Sequence, residues 1–234
     1  MAVARRIGIM GGTFDPIHLG HLVTAEQARA DLGLDEVVFV PAGQPWQKDE
    51  TTPPEHRYLM TVLATAANPA FMISRLEIER QGPTYTVDTL RAMRAACPDD
   101  ELFFITGADA IVNILTWKAA DECLALAEFV AATRPGHDVA TLHAQGLADR
   151  LIFLDVPALA ISSTDVRERF RAGRSVRYLI PREVEEYARK HGLYGTLGHH
   201  VALGGLPGRA LPRAAPPRPG AEGAAGGRGR YDRR

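Results

Sequence analysis

Hydrophobic positions fall into two kinds of pattern along this chain: short apolar runs, and longer segments with apolar residues three or four positions apart. Short runs bounded by glycine, proline or polar residues are typical of buried strands, and the wider spacing is typical of amphipathic helices. The short runs predict strands at 7–10, 37–40, 71–78, 102–106, 129–133 and 151–156. The wider spacing predicts helices at 22–32, 54–67, 86–96, 163–172 and 181–191.

Because the predicted strands alternate with helices, the expected fold class is α/β, with a Rossmann-like, doubly wound and mainly parallel sheet that carries helices on both faces. Ligands of such sheets bind beyond the carboxyl ends of the strands, near the point where the strand order reverses. Gly11 and Gly12 follow the first predicted strand, and Gly107 follows the fourth. We therefore expect these glycines to lie at one edge of the sheet, beside the ligand.

The composition changes near residue 197. The segment 197–234 is rich in glycine, proline, alanine and arginine, with almost no large apolar side chain after Leu211. Such a segment cannot bury enough apolar surface to offset the entropy of ordering. We therefore predict one domain over 1–196 and a disordered tail over 197–234. The arginines of the tail could contact nucleic acid or an acidic partner, but a solvated extension without a catalytic role is the simpler interpretation.

The bulk properties exclude several classes of protein. A formal net charge of -1 gives no basic field that would attract nucleic acid or an anionic membrane, so neither is an expected partner. No apolar run reaches the roughly 20 residues that span a bilayer. The run after Arg5 and Arg6 is broken by glycines too soon to be a signal peptide. Cys97 and Cys123 are far apart, which excludes a disulfide framework and fits a reducing cytoplasm.

The strongest chemical signal lies at 7–22, where the sequence is IGIMGGTFDPIHLGHL. An apolar run leads through two glycines to the start of a helix. Glycine lets the backbone approach a phosphate, and free N–H groups with the helix dipole favour its negative charge. His18 and His21, one turn apart at this point, indicate chemistry on the phosphate as well as binding. Histidines at this spacing can also share a metal ion, but no third ligand follows at a fitting interval, and we assign no metal site.

A second candidate anion site lies far downstream at 161–167, with the sequence ISSTDVR. Ser163 or Thr164 can cap a helix, from which Arg167 then projects. Cap hydroxyls, free N–H groups and a guanidinium suit the β- and γ-phosphates of a nucleotide. By itself the segment is also consistent with an ordinary capped helix, but its pairing with the first motif favours an anion site. We expect the two segments to form one pocket that holds a single triphosphate.

Together the two motifs resemble those of the HxGH nucleotidyltransferase superfamily. Within it, the chain is similar to the bacterial nicotinate-nucleotide adenylyltransferase family, especially to its actinobacterial members, over about residues 5–195. The segments that carry this closer resemblance are GQPWQK at 43–48, GPTYTVDTL at 82–90, GAD at 107–109 with Trp117 eight residues after the aspartate, and RPG at 134–136.

The resemblance implies that ATP and nicotinate mononucleotide give nicotinate adenine dinucleotide and pyrophosphate, in NAD biosynthesis, by direct in-line attack of the acceptor phosphate on the ATP α-phosphate. The second pKa of a phosphate monoester is about 6, so this nucleophile is largely ionised at neutral pH and needs no strong general base. Positioning and electrostatic stabilisation should dominate catalysis. Mg²⁺ is expected on the ATP phosphates, mostly through water and without a direct protein ligand.

The same resemblance assigns catalytic roles to four residues. His18 and His21 would contact the ATP phosphates, with His21 at the α-phosphate. Lys48 and Arg167 would neutralise the triphosphate. The residues that the resemblance implies for ATP binding are Gly11, Gly12, Thr13, Phe14, His18, His21, Gly107, Asp109, Ile161, Ser162, Ser163, Thr164 and Arg167.

Selection of the acceptor is assigned to a second set. In the family the counterpart of Trp117 stacks on the pyridine ring, and the helix start at Tyr85 and Thr86 offers a hydroxyl and N–H groups to a carboxylate, which would favour nicotinate over nicotinamide. Spacing alone is also consistent with Trp117 in the core and with Asp109 as a helix cap. The residues implied for acceptor binding are Asp15, Lys48, Tyr85, Thr86, Trp117 and Arg134.

Two positions depart from the commonest pattern of the family. Ala110 stands where many relatives carry serine, so a hydroxyl contact is absent there. The loop after the second strand has Trp46 and Gln47 before Lys48, where a proline-histidine-lysine run is common elsewhere. The lysine itself is present, but its role rests on a weaker match.

Three other functions compete with this interpretation. A transferase of the same fold with a different acceptor is opposed by Tyr85, Thr86 and Trp117. A sensor that binds ATP without turnover would be favoured by loss of a motif histidine or of Arg167, and all of these are present. Class I aminoacyl-tRNA synthetases share the His-x-Gly-His motif, but this chain is short, nearly neutral and without a KMSKS-like loop. The sequence is compatible with a homo-oligomer and does not specify the oligomeric state.

Overall fold

The computed structural model describes residues 3–45, 51–133, 147–157 and 159–195. The predictions made for Lys48, for Arg134 and for the tail at 197–234 lie outside the described residues. The side chain of Asp109 lies outside them as well, although its backbone is described. The division into a domain at 1–196 and a tail therefore stays a prediction.

Six parallel strands form one sheet in the order β3-β2-β1-β4-β5-β6. This is the doubly wound order, in which the strand sequence reverses between β1 and β4. The predicted α/β class and Rossmann-like architecture are therefore confirmed. The strands are β1 (Arg6–Gly12), β2 (Glu36–Pro41), β3 (Phe71–Ile73), β4 (Glu101–Gly107), β5 (Glu128–Thr133) and β6 (Leu151–Asp155).

Helices cover both faces of the sheet, as a parallel sheet with apolar strands requires. One buried cluster packs α1, α2, α6 and α7 against the sheet, and a second cluster packs α3, α4 and α5 against the opposite face. The helices are α1 (Leu19–Asp31), α2 (Pro54–Thr65), α3 (Thr86–Ala96), α4 (Ala108–Ile111), α5 (Ala120–Leu126), α6 (Ser163–Arg171) and α7 (Arg182–Lys190), with 3-10 turns at Ile114–Thr116, Ala148–Arg150 and Leu193–Gly195.

The predicted strand at 71–78 is wrong beyond residue 73. β3 is the edge strand and pairs with β2 at only three positions. After it, the Ser74 hydroxyl accepts the N–H of Leu76, and the N–H of Glu79 donates to the carbonyl of Arg75. These local bonds turn the chain away from the sheet, because a serine side chain offers the backbone an alternative to the ladder. The turn carries Glu77 to the edge of the sheet where the functional site lies.

Two short helices, α4 and α5, were not predicted. α4 has 4 residues and α5 has 7, and neither shows a repeated apolar spacing that would mark it in the sequence. Within the described part of the chain, no helix has both the length and the apolar character needed to cross a bilayer.

Candidate active site

The carboxyl ends of β1 and β4 lie side by side, at the reversal of strand order. Arg6 to Ile9 of β1 pair in register with Glu101 to Phe104 of β4. The strands therefore end together, at Gly12 and at Gly107. This confirms the prediction that the glycine turn and Gly107 share one edge of the sheet.

Close packing explains the glycine that ends β1. A Cβ atom on Gly12 would lie 2.9 Å from two carbons of the Phe14 ring. That ring is buried and packs on Phe39, and its edge meets the ring of His21 at 5.1 Å between centroids. The Phe14 side chain therefore packs against His21 inside the protein. Because that side chain is buried, only the backbone of Phe14 is available to contact a nucleotide.

The two motif histidines stack on each other at the start of α1. Their ring centroids are 3.7 Å apart with 21° between the planes. His18 is the N-cap residue and is 6% exposed. The stack leaves little room for a side chain between them, because a Cβ on Gly20 would lie 3.0 Å from Nδ1 of His18.

A backbone hydrogen bond orients the ring of His21. The N–H of His18 donates to Nδ1 of His21 over 3.2 Å. An imidazole nitrogen that accepts a hydrogen bond carries no proton, so this bond selects the neutral tautomer with the proton on Nε2. His21 is thereby built to present a donor, which is the group a phosphate oxygen binds.

The downstream motif packs directly against the first one. Arg167 donates from Nη1 to the carbonyl oxygen of Asp15 over 2.8 Å, and the Ser163 hydroxyl donates to the carbonyl oxygen of Pro16 over 3.0 Å. These two bonds join residues about 150 positions apart in sequence. The structure thus brings the two predicted anion sites together, as expected from their pairing.

The cap of α6 differs from the prediction. Ser162 is the N-cap residue, and its hydroxyl accepts the N–H of Asp165 over 3.1 Å. Ser163 and Thr164, which were expected to cap, lie in the first turn instead. The hydroxyl of Thr164 contacts Nη2 of Arg167 at 3.3 Å, and Ile161 is buried in the core. A run of three hydroxyl residues offers three possible caps, and the packing of Ser163 on the first motif decides among them.

Asp15 connects the first motif to two other parts of the chain. Its carboxylate is 3% exposed and accepts the Thr52 N–H at 3.1 Å and the Tyr194 hydroxyl at 2.8 Å. Burial raises the pKa of Tyr194, and the Asp15 charge raises it further, so the phenol stays a donor. Both carboxylate oxygens of Asp15 are therefore held by protein donors.

A buried arginine on α2 ties three loops together. Arg57 is fully buried and donates to the carbonyl oxygens of Thr52 at 2.7 Å, Thr13 at 2.8 Å and Gly43 at 3.0 Å. Burial lowers the pKa of the guanidinium, and the charge of Asp15 opposes this effect. Arg57 thus fixes the turn after β1 relative to the loop after β2.

A pocket of about 290 Å³ opens on the side of α3 at the same edge of the sheet. Thr84 closes one end by exchanging hydrogen bonds with Gln44: its N–H and hydroxyl donate to the Gln44 carbonyl at 3.0 and 2.8 Å, and its oxygen accepts the Gln44 N–H at 3.1 Å. The residues that line the pocket are Gly11, Gly12, Thr13, Ala42, Pro45, Glu77, Thr84, Thr86, Phe104, Thr106, Ala110 and Trp117.

Two of the predicted acceptor residues, Thr86 and Trp117, line this pocket. Trp117 is partly buried and meets Phe104 edge-on at 6.2 Å, so it both packs on the core and faces the pocket. Tyr85 is the N-cap residue of α3, and the ammonium of Lys118 lies 4.3 Å from the centre of its ring.

Glu77 is a member of the pocket that the sequence analysis missed. It is 7% exposed, and its Oε1 atom accepts a short hydrogen bond from the Thr89 hydroxyl. Burial raises the pKa of Glu77 to about 7, although Thr89 and the charges of Arg80 and Arg57 each lower it. Because a strand was predicted over 71–78, Glu77 was not considered as a site residue. The one available signal was a charged residue between the apolar residues Leu76 and Ile78.

Arg57 and Tyr194 were also missed. A charged residue within the apolar spacing of α2 was the available signal for Arg57, but no pattern in the sequence indicates its hydrogen-bond partners. Among the described residues, no group of three or more histidine, cysteine, aspartate or glutamate side chains is arranged to hold a metal ion.

Comparison with known proteins gives consistent results. A family model described as cytidylyltransferase-like matches residues 9–169. A probable nicotinate-nucleotide adenylyltransferase of Paenarthrobacter aurescens is 60% identical over 189 residues, which cover 80% of this chain and 90% of the relative. A protein of the same description from Leifsonia xyli is 58% identical over 193 residues, covering 82% and 95%.

The fold is also found among solved structures. The nicotinic acid mononucleotide adenylyltransferase of Plasmodium falciparum, complexed with NaAD, superposes with a TM-score of 0.69 over 82% of this chain and 98% of that chain. The sequence identity is 20%. At that identity the likeness supports the architecture alone.

Proposed function

This chain belongs to the cytidylyltransferase-like family, among its nicotinate-nucleotide adenylyltransferases, and from this membership we propose how its site performs the reaction. The enzyme transfers the adenylyl group of ATP to nicotinate mononucleotide, which gives nicotinate adenine dinucleotide and pyrophosphate in NAD biosynthesis. The observation that best supports a single nucleotide site is the pair of hydrogen bonds that dock Ser163 and Arg167 on the first motif.

The triphosphate of ATP lies between the start of α1 and the start of α6. The Nε2–H group of His21 donates a hydrogen bond to the α-phosphate. The stacked ring of His18 holds the His21 ring in place. Arg167 carries the charge of the β- and γ-phosphates, and the hydroxyl and N–H groups at 161–164 complete the anion site. Gly11, Gly12, Thr13 and the backbone of Phe14 approach the nucleotide closely because no side chain intervenes.

The adenosine part extends along the carboxyl end of β4. Gly107 leaves open space above the strand end, since no atom lies within 4 Å of the position that a Cβ would occupy. We assign to Asp109 a role at the ribose hydroxyls, to Lys48 a role at the phosphates, and to Arg134 a supporting role there. These assignments rest on the family resemblance.

Nicotinate mononucleotide occupies the pocket beside α3. Trp117 stacks on the pyridine ring, a contact worth roughly 1–3 kcal/mol for an aromatic base on an aromatic side chain. Thr86, with Tyr85 before it, receives the nicotinate carboxylate at the positive end of the helix. Asp15 acts on the acceptor side through the backbone that its buried carboxylate positions.

The chemistry needs charge stabilisation more than proton transfer. The acceptor phosphate attacks as an anion, and pyrophosphate leaves as an anion. Among the described residues, the groups that we assign to the phosphates are imidazole, guanidinium, hydroxyl and backbone N–H, which are donors, and none is a carboxylate ligand for a hard cation. Mg²⁺ would therefore be held by the phosphate oxygens of ATP and by water, and it would supply positive charge that offsets the charge of pyrophosphate.

Identification of the product tests this function directly. The purified chain is incubated with ATP, Mg²⁺ and an equimolar mixture of nicotinate mononucleotide, nicotinamide mononucleotide and phosphopantetheine, and products are resolved by mass spectrometry. We expect nicotinate adenine dinucleotide to dominate. A product derived only from phosphopantetheine, or no pyrophosphate release with any acceptor, would overturn the proposal.

A pair of variants on one helix tests the site. Arg167→Ala should abolish most turnover, whereas Arg169→Ala, which loses a 2.7 Å bond to Asp165 on the same helix, should retain it. Equal activity of the two variants would contradict the role of Arg167. We also propose that the enzyme is cytoplasmic. Its action as a homo-oligomer stays a prediction, which light scattering would test.

A further inference from the structure

The acceptor pocket contains a carboxyl group whose purpose the proposed reaction does not explain. Among the described residues that line the pocket, Glu77 is the only one with a titratable side chain. The proposed acceptor carries a carboxylate on its ring, so an ionised Glu77 in the same pocket would repel it. A buried acid in an anion-binding pocket therefore calls for a physical account.

The surroundings of Glu77 hold it in the wall of the pocket. From α3, the hydroxyl of Thr89 binds Oε1. From the loop after β2, Gly43 approaches so closely that a Cβ there would lie 2.1 Å from the Glu77 carbonyl oxygen. The carboxyl group thus stands beside the first turn of α3, where Thr86 also faces the pocket.

Two cations act on Glu77 among the described residues. Arg57, on α2, donates its hydrogen bonds to three carbonyl oxygens. It therefore interacts with the carboxyl group of Glu77 only through longer-range electrostatics. Arg80 follows Glu77 in the same turn and donates through Nη2 to the carbonyl oxygen of Asp88. Neither forms an ion pair with Glu77, and burial outweighs both, so that Glu77 changes its protonation near neutral pH.

Resting on the proposed function, we infer that the protonation state of Glu77 sets the preference of this site for the acid over the amide form of the acceptor. In its neutral form Glu77 offers a proton to the nicotinate carboxylate while Oε1 still accepts from Thr89. In its ionised form it repels that carboxylate and attracts the N–H groups of the carboxamide of nicotinamide mononucleotide. The preference for the acid is therefore strongest at low pH and falls as the pH rises.

Kinetics with two acceptors test the inference. The ratio of kcat/KM for nicotinate mononucleotide to that for nicotinamide mononucleotide is measured between pH 6 and pH 9 at saturating ATP. Both acceptors carry the same ribose phosphate, so its titration cancels in the ratio. We expect the ratio to fall by about tenfold across this range, which corresponds to one pKa unit of coupling between Glu77 and the ring substituent.

Three variants sharpen the test. Glu77→Gln should make the ratio independent of pH. Glu79→Gln removes an exposed carboxylate two residues away, whose partner is Arg75, and should follow the wild type. Thr89→Val removes a hydrogen bond that favours the charged form of Glu77, and should move the midpoint of the change to higher pH. A flat ratio in the wild type, or an unchanged slope in Glu77→Gln, would overturn the inference.

Proton uptake gives a readout that does not depend on turnover. Calorimetry is done near pH 7.5 in buffers of different ionisation enthalpy, with an ATP analogue that carries a carbon bridge between its α- and β-phosphates. Nicotinate mononucleotide should bind with more proton uptake than nicotinamide mononucleotide, and Glu77→Gln should remove the difference. Equal uptake by the two acceptors overturns this inference alone, whereas absence of dinucleotide product with either acceptor overturns the proposed function.

Discussion

Replacement of Arg57 by methionine should cause the largest loss of stability among single substitutions near the site. The change keeps the apolar stem of the side chain and removes the guanidinium. It leaves three buried carbonyl oxygens, on Thr13, Gly43 and Thr52, without their donor. It also removes the charge of a buried cation that interacts with Asp15.

The expected magnitude follows from these contacts. A hydrogen bond to a charged group contributes about 1.5–3 kcal/mol, so loss of three would cost about 4.5–9 kcal/mol. Removal of the guanidinium also recovers the cost of its burial, which is several kcal/mol for an ion in a protein interior. We therefore expect a net loss of about 3–5 kcal/mol, which is the size seen when one partner of a buried charged contact is removed. This is a large part of the roughly 5–15 kcal/mol that stabilises a typical domain.

Urea unfolding followed by circular dichroism measures this loss as a lower midpoint at an unchanged slope. Arg57→Lys keeps the charge but reaches fewer carbonyl oxygens, so its loss should be intermediate. Arg75→Met is the matched control: Arg75 also makes three hydrogen bonds, to Glu55 and Glu79, but at the surface, where they should matter little. A loss below about 1 kcal/mol in Arg57→Met would refute this account of the buried cation.

Four further changes have expected outcomes. His21→Ala should lower kcat by roughly 10²–10³ with little change in acceptor KM, and near-normal turnover would contradict its role at the α-phosphate. Tyr194→Phe removes a donor from the buried carboxylate of Asp15 and should cost about 1–2 kcal/mol in urea unfolding; an unchanged midpoint would exclude that bond as a stabilising contact. Gly43→Ala places a Cβ against Glu77 and should cost about 1–3 kcal/mol and raise the acceptor KM, so an unaltered KM would argue against this wall of the pocket. Because burial raises the pKa of Glu77 to about 7 from 4.5, the folded state binds more protons between these values, and the wild type loses stability as the pH rises through this window. Glu77→Gln should therefore match the wild type in stability at pH 4.5 and exceed it by about 3 kcal/mol at pH 8. The opposite trend in thermal unfolding would refute the raised pKa of Glu77.

Local chemistry made much of the fold predictable. Strands buried on both faces give continuous apolar runs, and prolines and glycines mark helix ends, as at Pro54 and at Gly33, whose φ is +60°. The helix predicted at 86–96 agrees with α3 at both ends. The prediction for the edge strand failed because β3 ends at Ile73 although β2 continues to Pro41. Its end depends on the Ser74 hydroxyl and a turn, which compete locally with the ladder.

The residues that we assign to the phosphates have a clearer sequence signal than the residues that position them. A glycine turn followed by His18 and His21 has a recognisable spacing, because the backbone and the helix start impose it. Arg57 and Glu77 have no such spacing, since their partners come from loops far apart in sequence. Their roles follow from burial and from what surrounds them, which only the folded chain determines.

Under the assignment that we propose, the two substrates are divided between the two faces of the sheet. The helices α1 and α6, which we assign to the nucleotide, belong to one buried cluster, and α3, which we assign to the acceptor, belongs to the other. Arg57 bridges this division, because it binds Thr13 in the turn after β1 and Gly43 in the loop that leads to the pocket. A defect at Arg57 should therefore raise KM for both substrates, whereas a defect at His21 should act on kcat alone. This difference separates a residue that aligns two binding sites from one that stabilises the transition state between them.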